Sequence, residues 1–230
     1  MILPDEKKAA TEFDQWALSG RAESMAEGHK GALFQAIEDW DFNDQHACLD
    51  IGCGNGWVCR EMVQRGGATA IGVDISPKMI ARAYEITDDD SRFRFEVGSA
   101  ADLPVETGSI HRCTSVEAIY YVPDPQAALN EWARVCAPGA QLAIVIDLFL
   151  ENPATHTWID ALKVDAHLLS AEELVEMAKK AGFTKASWRC VQDPRPIKSE
   201  SDFQISQYWP SNAMYRAYRE TGSLVIEAIR

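Results

Sequence analysis

From Ala47 onward the chain alternates short apolar runs with stretches of helical period. The apolar runs are β-branched or aliphatic and each is closed by Gly, Asp or Pro. They predict strands at 47–51, 68–73, 93–97, 111–115 and 141–148, with two more at 186–191 and 224–229. Helix ends are legible between them. Ser76-Pro77 and Asp124-Pro125 each read as an N-cap followed by proline at the first helical position. After Pro125, the residues Ala128, Leu129, Trp132, Val135 and Cys136 recur at helical spacing and predict one buried stripe, stopped by Pro138-Gly139. Ser170 and Glu173 make a capping box ahead of Leu174, Ala178 and Ala181, with Gly182 as the exit. Repeated strand–helix alternation predicts an α/β fold, a doubly wound and mostly parallel seven-stranded sheet that binds ligands at the carboxyl ends of its strands.

Three regions stand outside this alternation. Residues 1–45 predict a helical lid, with Phe13, Trp16 and Ala17 on one helix and Leu33, Ile37 and Trp40 on the next. The polar break Ser19-Gly20-Arg21 separates them. Residues 46–230 then form the ligand-binding domain, with 149–168 and 192–221 as insertions on the substrate side. The second insertion, before the last strand, is rich in aromatics: Phe203, Tyr208, Trp209, Tyr215 and Tyr218. It reads as a pocket wall, as a subunit contact that implies a homodimer, or as plain packing over the core.

Charge narrows the partners. The 230 residues carry 22 Lys and Arg against 35 Asp and Glu, a formal −13. Such a chain repels polyphosphate backbones and anionic membranes, so neither nucleic acid nor membrane is expected. A small molecule is the better fit. The densest charge run, Asp88 to Asp90, is acidic and expected in a solvated loop. Six cysteines form no C-x-x-C pair and fall mostly in apolar runs, which reads as buried thiols and no metal site. No leader and no stretch of ~20 apolar residues stands out, so a cytoplasmic location is expected.

The chemistry centres on "CLDIGCGNG", residues 48–56. Alternating glycines after a buried strand let the backbone turn sharply and meet a ligand closely. A dinucleotide fingerprint needs G-x-G-x-x-G, yet that third position is Trp57 counted from Gly52, or Cys59 counted from Gly54. Asp74 closes the next strand, 18 residues after Gly56, where a carboxylate accepts from a ribose diol. These features imply an adenosine-containing ligand without polyphosphate.

Five stretches together, "CLDIGCGNG", "GVDISPKMI", "GSAADLP", "SVEAIYYVPDP" and "RVCAPGAQLAIV", resemble successive motifs of class I S-adenosylmethionine-dependent methyltransferases. The resemblance is to the small-molecule type, of methyltransferase domain 11 or 25 kind, on a Rossmann-like sheet. It covers about two-thirds of the chain and implies S-adenosylmethionine as cofactor and S-adenosylhomocysteine as product. It places Asp50 and the backbone of Gly52, Cys53, Gly54 and Asn55 around the methionine part. Asp74 would hold the ribose and Ile75 would pack on adenine. Ser99, Ala100 and Ala101 would meet the adenine edge, with Ser99 where the family often has Asp. Ser115 and Val116 would floor the sulfonium, and Arg21 would pair with the cofactor carboxylate. Trp57 reads as a helix-start packing residue.

Methyl transfer from a sulfonium is an in-line displacement, so the protein aligns the groups, excludes water and, where needed, removes a proton. By the same resemblance Glu117, Tyr120 and Tyr121 face the transferred methyl. The alternative is that Glu117 caps a local turn and one tyrosine is core. His29, His156 and His167 are further candidates for a base. "SVEAIYYV" has neither the [DNS]-P-P-[FYW] signature nor the Pro-Cys of nucleic-acid enzymes. Whether the acceptor attacks through O, N or C is left open by the sequence. Two other readings remain open at this level: an NAD-dependent oxidoreductase and a non-catalytic S-adenosylmethionine-binding module.

Overall fold

The apolar runs pair into one seven-stranded sheet in the computed structural model, which describes residues 6–88 and 90–230. Residues 1–5 of the expected lid and Asp89 of the acidic run lie outside the described residues. The strands are β1 (Ala47–Ile51), β2 (Thr69–Asp74), β3 (Phe93–Val97), β4 (Ile110–Val116), β5 (Cys136–Ile146), β6 (Lys185–Val191) and β7 (Ser223–Ile229). Their spatial order is β3-β2-β1-β4-β5-β7-β6. The pairs among β1 to β5 are parallel, and β7 runs antiparallel to both β5 and β6. Strand order reverses between β1 and β4, which puts the binding crevice at their carboxyl ends.

Eight helices surround the sheet among the described residues. They are α1 (Lys7–Leu18), α2 (Arg21–Ala36), α3 (Trp57–Gln64), α4 (Pro77–Thr87), α5 (Pro125–Val135), α6 (Trp158–Ala161), α7 (Ala171–Ala181) and α8 (Asn212–Thr221). The caps expected from sequence form: Ser76, Asp124 and Ser170 each accept a hydrogen bond from the backbone N–H of the third residue of their helices. On one sheet face α5 and α7 bury Leu129, Trp132 and Leu174 against β4, β5 and β7. On the other, Leu33 and Ile37 at the end of α2 pack with Met62 of α3 against β1 and β5.

Three local differences from the sequence reading matter for the site. Arg21 is the first residue of α2, so the break is Ser19-Gly20 alone, with Gly20 in the left-handed conformation. Strand β5 begins at Cys136, which pairs with Ile110, and not after Gly139. The turn at Pro138-Gly139 is already tied into the sheet, because the Gly139 N–H donates to the Arg230 carbonyl. The same strand stops at Ile146, which delivers Asp147 and Leu148 to the crevice. The insertions are also more regular than expected. Residues 149–168 contain α6, and 192–221 contain α8, whose N-cap Ser211 accepts from the Met214 N–H at 3.2 Å.

The six cysteines are free thiols; all are buried except Cys190. Among the described residues no helix is long and apolar enough to cross a membrane.

Candidate active site

The glycine loop leaves β1 and turns directly into α3. Its backbone N–H groups at Gly52 and Cys53 both donate to the Val73 carbonyl, at 2.8 and 3.1 Å, which ties the loop to β2. Gly52, Gly54 and Gly56 all have positive φ, the region L side chains avoid. Their reasons differ. A Cβ on Gly52 would sit 2.3 Å from the Ala118 Cβ, and one on Gly56 would sit 2.6 Å from the Phe95 ring. A Cβ on Gly54 would meet nothing nearer than the Met79 sulfur at 3.9 Å. Gly54 therefore faces open space, and that space is the cavity.

Asp74 reaches back to this loop from the end of β2. One oxygen accepts from the Gly54 N–H at 2.9 Å and the other from the Ser76 N–H at 2.8 Å. Burial pushes its carboxyl up to about 6, with the two N–H donors pulling the other way. Each oxygen keeps a lone pair, the arrangement a diol needs. Asn55, Ile75, Ala100 and Val116 line the same cavity, as do Cys53 and the backbone at Gly52. Trp57 packs at the start of α3 and also lines the cavity, so it is more than a packing residue.

Other expected contacts lie elsewhere. Asp50 is beneath the loop and off the cavity wall. It accepts from the Thr114 hydroxyl at 2.8 Å, and burial pushes its carboxyl up to about 8. Ser115 is fully buried, with a hydroxyl that has no partner, and lines neither cavity described here. Ser99 is fully buried too. Its hydroxyl donates to Glu6 at 2.6 Å and accepts from the Ala101 N–H at 3.1 Å. It is Glu6, not Ser99 or Ala101, that lines the cavity. Nothing in the sequence pattern marks Glu6, because the contact spans 93 positions.

The lid closes over this cavity through Phe13 and Trp16 of α1, which meet Tyr121 edge-on at 5.1 and 6.5 Å between ring centres. The Asp14 carboxylate holds α1 in place. It accepts from the Ser76 hydroxyl at 2.6 Å and the Lys78 N–H at 3.1 Å, at the positive end of α4.

A second cavity of about 500 Å³ adjoins the first, inside the ~300–1,000 Å³ range of small-molecule sites. Trp16, Met25, His29, Glu117 and Tyr121 line both. Glu117 leaves β4 with φ +55, a strained geometry for a non-glycine residue. Its two oxygens accept from the Asp147 N–H and the Tyr120 hydroxyl, each at 2.6 Å. Burial is the main cause that pushes the Glu117 carboxyl up to about 7, with His29 opposing. Glu117 thus braces a turn and also lines both cavities. Tyr120 is core-like in burial yet lines the second cavity. Arg21 lines the second cavity alone, stacked 3.6 Å over Trp16 and 5.0 Å from the Tyr208 ring centre.

His29 and Asp147 complete this corner. His29 sits on the buried stripe of α2 that runs Ala22, Ala26, His29, Leu33. Its Nδ1 lies 3.5 Å from Asp147 Oδ2 and 4.0 Å from Glu117 Oε1. Tyr218 of α8 donates to Asp147 Oδ2 at 2.6 Å, while Asp147 Oδ1 is enclosed with no partner. The ligand atoms of His29, Glu117 and Asp147 lie within 4.8 Å of one another, a donor set for a positively charged group. Sequence reasoning overlooked Asp147. The signal was present, an acid at the end of a fully apolar strand, but the strand was extended past it. His156 and His167 line neither cavity.

Comparison with known proteins gives the same direction. A methyltransferase-domain family matches residues 49–144. A 27-O-demethylrifamycin SV methyltransferase from Amycolatopsis mediterranei is 34% identical over 204 residues, covering 76% of this chain and 73% of that protein. An O-methyltransferase from Pyrenophora dematioidea is 31% identical over 160 residues, 65% of this chain and 58% of its own length. For two further curated relatives the match spans about half to three-fifths of their length. Among solved structures, the methyltransferase in a complex with the Haloferax volcanii Trm112 methyltransferase activator superposes with a TM-score of 0.86. It is 29% identical and covers 95% of this chain and 97% of its own.

Proposed function

We propose that this chain, which belongs to the class I S-adenosylmethionine-dependent methyltransferases, transfers the methyl group of S-adenosylmethionine to a small-molecule acceptor bound in the second cavity. The carrying observation is the pair of cavities that share Glu117, His29 and Tyr121, one built on the glycine loop and Asp74, the other lined by aromatic side chains. The first fits the cofactor. Gly54 leaves the room a ligand needs, Asp74 offers two carboxylate oxygens to the ribose, and Trp57 or Cys59 stands where the pyrophosphate fingerprint has its third glycine.

When bound, S-adenosylmethionine supplies a methyl already activated by a sulfonium. The residues of this chain do the rest. Asp74 and the Gly52–Asn55 backbone hold and orient the cofactor. Phe13, Trp16 and Tyr121 exclude water from the cofactor cavity, and their rings favour positive charge there. Glu117, fixed by Tyr120 and the Asp147 N–H, orients the acceptor and takes up a proton where the nucleophile carries one. Tyr120 and Tyr121 keep the acceptor in line with the methyl.

Titration calorimetry with S-adenosylmethionine, S-adenosylhomocysteine and NADH tests the reading. Micromolar binding of the first two, about −7 to −9 kcal/mol, is expected. Binding of NADH alone would return the chain to the oxidoreductases. Tight cofactor binding with no S-adenosylhomocysteine formed across a broad acceptor panel would leave a non-catalytic module. The panel is run with and without a Trm112-type activator, because the relative solved in such a complex is similar over nearly the whole chain.

A further inference from the structure

The second cavity has a charge pattern unlike the rest of the molecule. Its lining carries four basic residues (Arg21, Arg195, Lys198, Arg219) and three acidic ones (Glu117, Asp147, Asp193), a formal +1 within a chain of −13. Glu117 is buried where the two cavities meet and Asp147, whose N–H donates to it, is buried beside it, whereas Arg195 and Lys198 are exposed. Asp193 is already held by Arg195 and Arg219.

At the inner end the acids lack a full counter-charge. Among the described residues, His29 is the only basic side chain within ion-pair distance of Glu117 or Asp147. Asp147 is 1% exposed and its Oδ1 has no hydrogen-bond partner. A buried, unpaired carboxylate oxygen is costly, and a cation brought by the ligand would remove that cost. A hard divalent ion fits poorly. It takes about six oxygen ligands, and three of the four carboxylate oxygens already accept from Tyr120, Tyr218 or the Asp147 N–H. An ammonium needs fewer acceptors and gains from aromatic faces. Tyr218 and Tyr121 supply those faces beside the acids, and Trp158 and Trp209 continue them outward. In the same cavity Arg21 is stacked on Trp16 with no carboxylate partner among the described residues.

We infer that the acceptor is an amine that also bears a carboxylate or phosphate: its ammonium lies against Asp147 and Glu117, and its anionic group against Arg21 with Lys198. This deepens the methyltransferase reading and rests on it. One N–H proton of the ammonium passes to the His29–Glu117 pair and on to solvent. The freed nitrogen lone pair forms the N–CH3 bond while the C–S bond breaks and its electrons stay on sulfur. The products are a methylated ammonium, neutral S-adenosylhomocysteine and the released proton.

The test is calorimetry on the full chain saturated with S-adenosylhomocysteine, using two matched sets of probes. One is tyrosine, tyramine and 3-(4-hydroxyphenyl)propionate; the other is phosphoethanolamine, ethylamine and ethyl phosphate. In at least one set the zwitterion is expected to bind tenfold or more tighter than either singly charged analogue. Asp147→Asn should weaken the amine-bearing probes tenfold and leave the acid-only probe unchanged. Arg21→Gln should do the reverse. S-adenosylhomocysteine affinity should stay within threefold in both variants, since both residues line the second cavity alone. Failure of the parent to bind S-adenosylhomocysteine would sink the cofactor reading instead. The inference is overturned if no probe binds, if single-charge analogues match the zwitterions, or if Arg21→Gln loses S-adenosylhomocysteine. It is also overturned if Mn2+ binds stoichiometrically and Asp147→Asn abolishes that binding.

Discussion

The glycines of the loop separate stability from binding, and substituting them one at a time exposes the difference. In Gly54→Ala the added methyl meets no protein atom within 3.9 Å, so the folding cost is the left-handed backbone alone, about 1–2 kcal/mol. For a chain of this size that is a melting-temperature loss of about 2–8 °C. The methyl projects into the cofactor cavity, however, and must displace ligand atoms. S-adenosylhomocysteine affinity is therefore expected to fall at least ~10-fold, about 1.4 kcal/mol. Gly52→Ala carries the same backbone cost and adds a clash at 2.3 Å with the Ala118 Cβ, where ordinary contact begins near 3.4 Å. Ala118 is flanked by Glu117 and the buried Ile119 and has little room to retreat. Overpacking of this kind adds about 1–3 kcal/mol, so the stability loss totals about 2–5 kcal/mol. Thermal melts and calorimetric titrations of both variants measure the two quantities independently. If Gly54→Ala binds S-adenosylhomocysteine within twofold of the parent, the loop is not the cofactor cradle.

Three further outcomes are expected. Asp74→Ala should weaken S-adenosylhomocysteine by roughly 1–3 kcal/mol through the lost diol contacts, and unchanged affinity in calorimetry would remove Asp74 from the site. The pH dependence of apoprotein stability follows from Asp50, whose carboxyl is pushed from an ordinary 3.8 up to about 8 by burial. The native state then keeps a proton that the unfolded chain has lost, so this group's contribution is full below about pH 4 and is lost as pH rises through about 8. Asp50→Asn should gain stability relative to the parent between pH 5 and pH 8, and a difference that stays flat across that range would contradict the assignment. Ser99→Ala removes the hydroxyl that holds Glu6 and should cost about 1–2 kcal/mol, read as faster proteolytic cleavage within α1. A digestion rate equal to the parent's would show that Ser99 does not anchor the lid.

What the sequence revealed, and what it hid, divides along contact range. The caps at Ser76, Asp124 and Ser170 act within three residues, so their signatures are local and legible. The sheet strands follow from period-2 and apolar runs, and the spacing of Asp74 from the glycines needs only one helix and one strand between them. The limits of β5 were misjudged at both ends, because Pro138-Gly139 looks like a stop when its partner Arg230 is 91 residues away in the chain. That same misjudged end concealed Asp147. The Ser99–Glu6 contact and the Tyr218–Asp147 contact bridge elements that only the fold brings together. Helix α8 was legible in principle, since Ser211 caps it and Tyr215 and Tyr218 recur at helical spacing, but its aromatics read first as an insertion.

Asp14 is a small detail with a kinetic consequence. The same carboxylate that ties α1 to Ser76 and Lys78 keeps Phe13 and Trp16 over the glycine-loop cavity. A molecule as large as an adenosyl group that leaves beneath α1 has to break that tether and the Glu6–Ser99 contact. Exchange by that route is expected to be paced by the departure of a helix and not by diffusion. Spent cofactor should leave on the lid's timescale, so turnover slows without any change in how readily the methyl itself is passed.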